Sequence, residues 1–232
     1  MSESQGILEN LTQTFGKMVL PDVEFPTVIP DSLDAVCNIV NWCREHSWRI
    51  LPVGRGHTFS KEHHVPGGVL TMLSSARRGI SEASGADMVV EVEAGVPVST
   101  VGEVVAHAGL RLEHWPEDYP GTVGGLLAGA HGPEYRGIVL GAIFVDGTGR
   151  IVHLGGAVRK DVSGFDGTSV LLGSHGTMAW LDRVILRLKP RTTSPLERVS
   201  WPPSTQKKEY SGLYRQIANA FDPDDVFLKP KG

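Results

Sequence analysis

Three glycine-rich segments are the parts of this chain whose residue types and spacing could do chemistry. They cover residues 54–56, 121–132 and 173–176. Glycine has no Cβ and readily adopts positive φ, so consecutive backbone N–H groups in such segments can converge on phosphate oxygens. The alternative is that each segment is only a tight turn between strands. Three such segments, each close to Ser or Thr and each flanked by a strand or helix pattern, favour a phosphate-bearing ligand.

Other well-known phosphate and catalytic motifs are missing from the sequence. The chain has no G-x-x-x-x-G-K-[ST] and no G-x-S-x-G, and Phe59 stands where a dinucleotide fingerprint needs its third glycine. His63 and His64 beside Glu62 could bind a metal ion, but no other ligand stands at a diagnostic spacing. The sequence therefore predicts no metal site and assigns no catalytic residue.

The composition is that of a globular protein, with 41% hydrophobic and 21% charged residues and a formal net charge of −4. This balance gives no reason to expect nucleic-acid binding. No apolar run reaches the roughly 18 residues of a membrane span, and no signal-peptide pattern opens the chain. The sequence therefore predicts a cytoplasmic protein with no membrane span.

Helix and strand patterns alternate around the glycine segments. Helical spacing predicts helices over residues 7–18, after Ser32, over 99–109 with Ser99 or Thr100 as N-cap, and over 210–221. Strand patterns cover residues 48–53, 67–72, 88–95 and 182–190, with a hairpin turning at residues 146–149. Strands alternate with helices early in the chain and dominate later, which indicates an α+β protein with two lobes.

The order of these motifs resembles the FAD-linked oxidases of the vanillyl-alcohol oxidase and p-cresol methylhydroxylase (PCMH) type. The nearest subgroup is that of the glycolate oxidase and D-lactate dehydrogenase FAD subunits. The stretch "ILPVGRGHTF" is similar to the pyrophosphate loop of that family, and "PGTVGG" is similar to its T-[IV]-G-G segment. The stretch "RKDVSGFDGTSVLLGSHGT" is similar to its K-D-V-x-G-[YF]-D and G-S-x-G-T run. The resemblance covers nearly the whole chain.

The resemblance implies a two-lobed, PCMH-type FAD-binding fold of the α+β class. One lobe is a small α/β lobe, and the other is a larger, mainly antiparallel sheet lobe with helices. The FAD-binding domain is expected over residues 1–192, with lobes at about 20–86 and 87–192. Residues 193–232 are expected to be a linker, a C-terminal helix and a tail, which remain where relatives insert a cap domain of considerable length.

The resemblance also implies which residues contact FAD, which would lie extended between the lobes. The residues expected to wrap the pyrophosphate are Val53, Gly54, Arg55, Gly56, His57, Thr58 and Phe59. Those expected along the ribityl chain and the flavin are Pro116, Thr122, Val123, Gly124 and Gly125. The remaining contact segments correspond to Ala128, Gly132, Gly173, Ser174, Gly176 and Leu181.

His57 raises a separate question about how the flavin is held. In sugar-lactone, alditol and berberine-bridge relatives, a G-H-[ST] at this place attaches covalently to the flavin 8α-methyl group. In the glycolate and lactate relatives the place is usually threonine, and the FAD is not attached. Covalent attachment at His57 and a non-covalent contact both stay open at this point.

The resemblance implies an FAD-binding oxidoreductase subunit that oxidises a small 2-hydroxy acid or related alcohol and passes electrons to a partner. A partner subunit could supply the substrate cap or accept the electrons. The alternative is a cap-less FAD-binding module without turnover of its own. One departure from the family stands at residues 179–182, where "AWLD" replaces G-I-I-T. Trp180 is bulky for a turn that is expected to approach a cofactor.

Overall fold

The computed structural model describes residues 3–20, 26–56, 68–156, 167–191 and 212–229. Within these ranges the chain forms a three-stranded parallel sheet, a four-stranded antiparallel sheet and a two-stranded ribbon. None of the helices in these ranges is long and apolar enough to cross a membrane. The combination confirms the predicted α+β class.

The first lobe is built on the parallel sheet. Its elements are α1 (Glu3–Phe15), β1 (Thr27–Val28), α2 (Leu33–Glu45), β2 (Arg49–Val53) and β3 (Val69–Leu73), and the strand order is β1-β3-β2. Parallel strands end at the same edge of a sheet, so β2 and β3 deliver residues 53 and 73 side by side. That edge is where α/β sheets bind ligands.

Helix α2 begins where the sequence predicts. The Ser32 side chain accepts a hydrogen bond from Ala35 N at 3.2 Å, as expected of an N-cap. Val36, Ile39 and Val40 recur at helical spacing and are fully buried in the core of the first lobe. Burial of this apolar stripe fixes α2 against the sheet and so positions the start of β2.

The second lobe is built on the antiparallel sheet, with strand order β4-β8-β6-β7. Its elements are β4 (Val89–Glu93), α3 (Val98–His107), β5 (Leu110–Arg111), α4 (Val123–Ala128), β6 (Val139–Asp146), β7 (Ile151–Gly155), β8 (Ala179–Arg187) and β9 (Lys189–Pro190). Val184, Leu186 and Leu188 are buried on one side of the β8 segment, as their alternation predicts. The predicted hairpin at residues 146–149 is confirmed by the β6–β7 pairing.

Two local predictions are wrong. Helix α3 begins at Val98 with Pro97 at the N-cap position and no side-chain cap, so neither Ser99 nor Thr100 caps it. Trp180 lies inside β8 rather than in the preceding turn, and it is buried in the core of the first lobe opposite Val145. Its bulk therefore lies in that core and does not crowd the turn.

The C-terminal segment packs on both lobes. Helix α5 (Gly212–Phe221) places Phe221 edge-on against Phe144 with ring centroids 5.3 Å apart. The tail then pairs with β2, because Ile50 N donates to Val226 O at 2.6 Å and Leu228 N donates to Ile50 O at 2.8 Å. The predicted domain boundaries remain a prediction, but backbone hydrogen bonds and core packing hold this segment on the fold.

Candidate cofactor-binding site

The first glycine segment forms one wall of a cleft at the carboxyl ends of β2 and β3. The cleft has a volume of about 430 Å3, which is in the usual range of small-molecule sites. It is lined by Leu20, Thr27, Val53, Gly54, Arg55, Gly56, Thr71, Leu73 and Ser75. Apolar side chains and short hydroxyl side chains therefore face a stretch of bare glycine backbone.

The backbone of residues 54–56 is available to a ligand. Val53 O still accepts a hydrogen bond from Ser74 N at 3.0 Å, and this bond ends the ladder between β2 and β3. Beyond it, the N–H groups of Gly54, Arg55 and Gly56 donate to no acceptor in the described part of the chain. Gly56 has φ +77°, a conformation that glycine adopts without strain. These consecutive N–H groups and the exposed Arg55 side chain suit an anionic group such as a pyrophosphate.

The second glycine segment packs directly against the first. A Cβ on Gly54 would collide with Thr122 Oγ1, so the loop approaches α4 as closely as backbone allows. Thr122 is 2% exposed and caps α4, accepting from Gly125 N at 3.2 Å. The first turn of α4 is held from the β4 side as well, since Gly124 N donates to Ala94 O at 2.8 Å. The N–H groups in the first turn of α4 therefore donate within the fold. To a ligand site, α4 would contribute a close-packed surface and no hydrogen bonds from this turn.

The third glycine segment joins the other two. Gly173 N donates to Leu127 O at 2.9 Å and His175 N donates to Ala128 O at 2.7 Å, which ties the turn to the end of α4. A Cβ on Gly176 would lie 3.1 Å from Pro52 Cγ, two residues before the first segment begins. Three segments that are far apart in sequence thus meet around one loop.

The remaining predicted residues fall in different places. Pro116 is buried in a turn in which its carbonyl accepts from Tyr119 N, and Gly132 packs with its Cα beside Gly173 N. Leu181 pairs with Phe144 inside the antiparallel sheet and packs on the core of the second lobe. His57, Thr58 and Phe59 lie outside the described residues, as do His63 and His64. The role of each predicted residue as an FAD contact stays a prediction.

Five cleft residues did not emerge from the sequence: Leu20, Thr27, Thr71, Leu73 and Ser75. They carry no motif, and their only signal is position near the carboxyl ends of parallel strands. Among the described residues, no group of three or more His, Cys, Asp or Glu side chains is placed to hold a metal ion.

Comparison with known proteins identifies the class. Residues 26–155 match the FAD binding domain family, which is more than half of the chain, so the chain belongs to that family. The open N–H groups, the close approach at Gly54 and the cleft beside them fit FAD as the cofactor.

The chain is similar to an uncharacterised FAD-linked oxidoreductase of Mycobacterium tuberculosis, with 33% identity over 170 residues. That match covers 70% of this chain and 37% of the relative. It is also similar to the glycolate oxidase subunit GlcD of Bacillus subtilis, with 28% identity over 180 residues, which cover 74% of this chain and 38% of the relative. The chain thus spans less than two fifths of the length of each.

The fold has a solved counterpart in an alkyldihydroxyacetonephosphate synthase. The TM-score is 0.66 at 14% identity, and the match covers 84% of this chain and 42% of that one. At this identity the likeness concerns the fold alone. It confirms the two-lobed architecture that the motif order implies, and the family match is what shows FAD binding.

Proposed function

We propose that this chain is an FAD-binding subunit of an oxidoreductase that accepts a hydride from a small 2-hydroxy acid and passes the electrons to a partner. When bound, FAD supplies the two-electron acceptor for this reaction. The protein supplies binding, orientation and the exclusion of competing reactions. The observation that carries the proposal is the convergence of three glycine segments on a loop whose backbone N–H groups donate to no acceptor in the described part of the chain.

Each segment has its own part in holding the cofactor. Residues 53–56, continued by His57, Thr58 and Phe59, would bind the pyrophosphate through backbone N–H groups. Thr122 and the two glycines after Val123 would let the ribityl chain and flavin approach the backbone. Residues 173–176 would support the loop from the opposite side. Arg55 carries a positive charge at the mouth of the cleft, where it would offset part of the pyrophosphate charge.

The substrate class comes from the relatives. The GlcD relative is named as a subunit of a glycolate oxidase, and glycolate is a 2-hydroxy acid. Only residues 191–211 lie between β9 and α5, where related oxidases carry a cap. A partner chain would therefore cover the substrate side of the flavin or receive its electrons.

A second candidate function is an FAD-binding module without turnover of its own. The short connection between β9 and α5 favours it, because related enzymes take much of their substrate pocket from the cap. Both candidates share the FAD site and differ only in whether a substrate reduces the flavin.

Anaerobic reduction of the flavin separates the two candidates. The FAD-loaded protein, alone and with co-purified partners, is mixed with glycolate or D-lactate without oxygen, and the flavin absorbance is followed. The oxidoreductase proposal expects bleaching by one of these acids. Unchanged absorbance with every acid, in protein that dithionite still bleaches, would favour the module.

We infer further that His57 is attached covalently to the flavin 8α-methyl group. The motif Gly56-His57-Thr58 supports this, since it matches the attachment motif of the sugar-lactone and alditol relatives. Acid precipitation of the FAD-loaded protein should leave the flavin in the pellet, and the His57→Ala variant should release it. Flavin in the wild-type supernatant would show that the contact is non-covalent.

A further inference from the structure

We propose that Tyr214 is a positioning residue of the FAD site, acting through the turn formed by residues 173–176. This inference rests on the proposed FAD-binding function, because the turn matters as a support for the phosphate loop. Tyr214 belongs to α5, on the far side of the connection over residues 191–211. It would make the C-terminal segment part of the cofactor site.

The Tyr214 hydroxyl is part of a small hydrogen-bond network beneath the turn. It lies 3.2 Å from Thr177 Oγ1 and 3.5 Å from Ser174 O. Thr177 Oγ1 donates its own hydrogen to Ser174 O at 2.7 Å, so the single hydrogen of the Tyr214 hydroxyl is placed to donate to Thr177 Oγ1 or to Ser174 O. Ser174 and Thr177 are 3% and 4% exposed, so water does not readily replace a lost partner.

The turn needs such a restraint because its backbone is unusual. Gly173, His175 and Gly176 have φ values of +76°, +55° and +71°. Positive φ is easy for glycine but unfavourable for His175, and such conformations persist only when the surroundings enforce them. The hydrogen bonds to Leu127 O and Ala128 O enforce the turn from one side. The Tyr214 network enforces it from the other.

The turn passes this restraint to the phosphate loop. Gly176 packs on Pro52 so closely that a Cβ would lie 3.1 Å from Pro52 Cγ. Pro52 is followed directly by Val53 and by residues 54–56, whose N–H groups donate to no described acceptor. A looser turn would therefore let the loop adopt more conformations, and this would lower the affinity of the loop for a phosphate group.

Helix α5 is held by other contacts, so the hydroxyl can be removed without undocking the helix. Ala218 is buried, Phe221 contacts Phe144, and Phe221 O accepts from Gly147 N at 2.8 Å. Tyr214→Phe keeps the ring and removes only the donor. Tyr135→Phe is the matched control, because Tyr135 is 4% exposed, packs on Trp115 and makes no hydrogen bond to residues 173–177 in the described part of the chain.

The test compares the full chain with Tyr214→Phe and Tyr135→Phe. FAD affinity is titrated by flavin fluorescence, and amide hydrogen exchange of residues 173–177 is followed in FAD-free protein. We expect Tyr214→Phe to weaken FAD binding about three- to tenfold and to speed exchange in the turn, with a urea midpoint close to that of the control.

Wild-type FAD affinity in Tyr214→Phe would overturn the inference, whatever the exchange shows. An equal loss of affinity in Tyr135→Phe would also overturn it, since the effect would then be a general loss of packing. If the wild-type chain itself binds no FAD, the proposed function fails. The exchange measurement then still tells whether Tyr214 restrains the turn.

Discussion

Gly54 has no room for a side chain, because Thr122 Oγ1 occupies the place where its Cβ would lie. The sequence predicts that glycine at this position brings the backbone close to a phosphate-bearing ligand, and the family resemblance implies that this ligand is FAD. The structure adds a neighbour 68 positions further along the chain, which no local pattern could reveal. The absence of a side chain at Gly54 thus serves the packing of the two lobes, and we propose that it also serves the ligand.

A methyl group at Gly54 should therefore damage the cofactor site. Gly54→Ala must push the loop away from Thr122, which we expect to weaken FAD binding about tenfold or more. Gly137→Ala is the control, because a Cβ there meets nothing within 4 Å and its φ is not positive. FAD titration of both variants checks this, and equal affinities would contradict the close approach at Gly54.

At the scale of elements, an ion-pair cluster holds the connection between the two sheets. Arg77 follows β3 and donates to both carboxylate oxygens of Asp182 at 2.9 Å each, and it lies 2.7 Å from Glu93 Oε1. Hydrogen bonding to Asp182 raises the pKa of the Arg77 guanidinium. Asp182 is 1% exposed. The residue that departs from the family's threonine is thus the buried partner of Arg77.

Breaking this pair should be costly. Arg77→Met and Asp182→Val each leave a charge with an incomplete set of partners, so each should lower the free energy of unfolding by about 3–5 kcal/mol. The double variant should lose clearly less than the sum of the two, because both buried partners are removed together and Glu93 keeps Arg183 Nη2 at 3.2 Å. Urea unfolding of the four proteins gives the coupling energy.

The exposed pair Arg44–Asp224 provides the comparison for the double-mutant cycle at Arg77 and Asp182. Its side chains are 36% and 50% exposed, and such pairs couple by at most about 1 kcal/mol. If the losses in unfolding free energy at Arg77 and Asp182 were strictly additive, the coupling between these two residues would be contradicted.

Helices and strands were predictable where a local signal is strong. Ser32 caps α2 as expected, and the Asp146 hairpin turn lies where the sequence predicts. The sequence pattern begins three residues after the true start of β8 at Ala179. Ala179 and Trp180 are both apolar, so they do not show the apolar–polar alternation that marks the rest of the strand. Trp180 is buried on the α2 side, so its partners come from another lobe.

At the scale of the whole molecule, the C-terminal segment returns to the start of the fold. Phe227 is fully buried in the core of the first lobe. Asp222 accepts from Val226 N at 2.8 Å and Phe227 N at 3.0 Å, and burial raises the pKa of its carboxyl group. The resemblance predicted a helix and a tail, but not that the tail would extend the parallel sheet beside β2. That docking depends on contacts between residues about 175 positions apart.

The two-lobed fold and the glycine loops were predictable because their motifs are ordered along the chain. The cleft was not, since its walls come from β1, β3 and the segment after α1. Its residues are of ordinary types, and only their position at the edge of the sheet marks them as part of a site. We propose that the cleft holds part of FAD.

A titration of the purified full chain with FAD tests that claim most directly. We expect saturable binding of one FAD per chain, with the two visible absorption bands of a protein-bound flavin after removal of free FAD. The Gly54→Ala variant should bind more weakly under the same conditions. Absence of binding by wild-type protein that is folded and unfolds cooperatively in urea would contradict it.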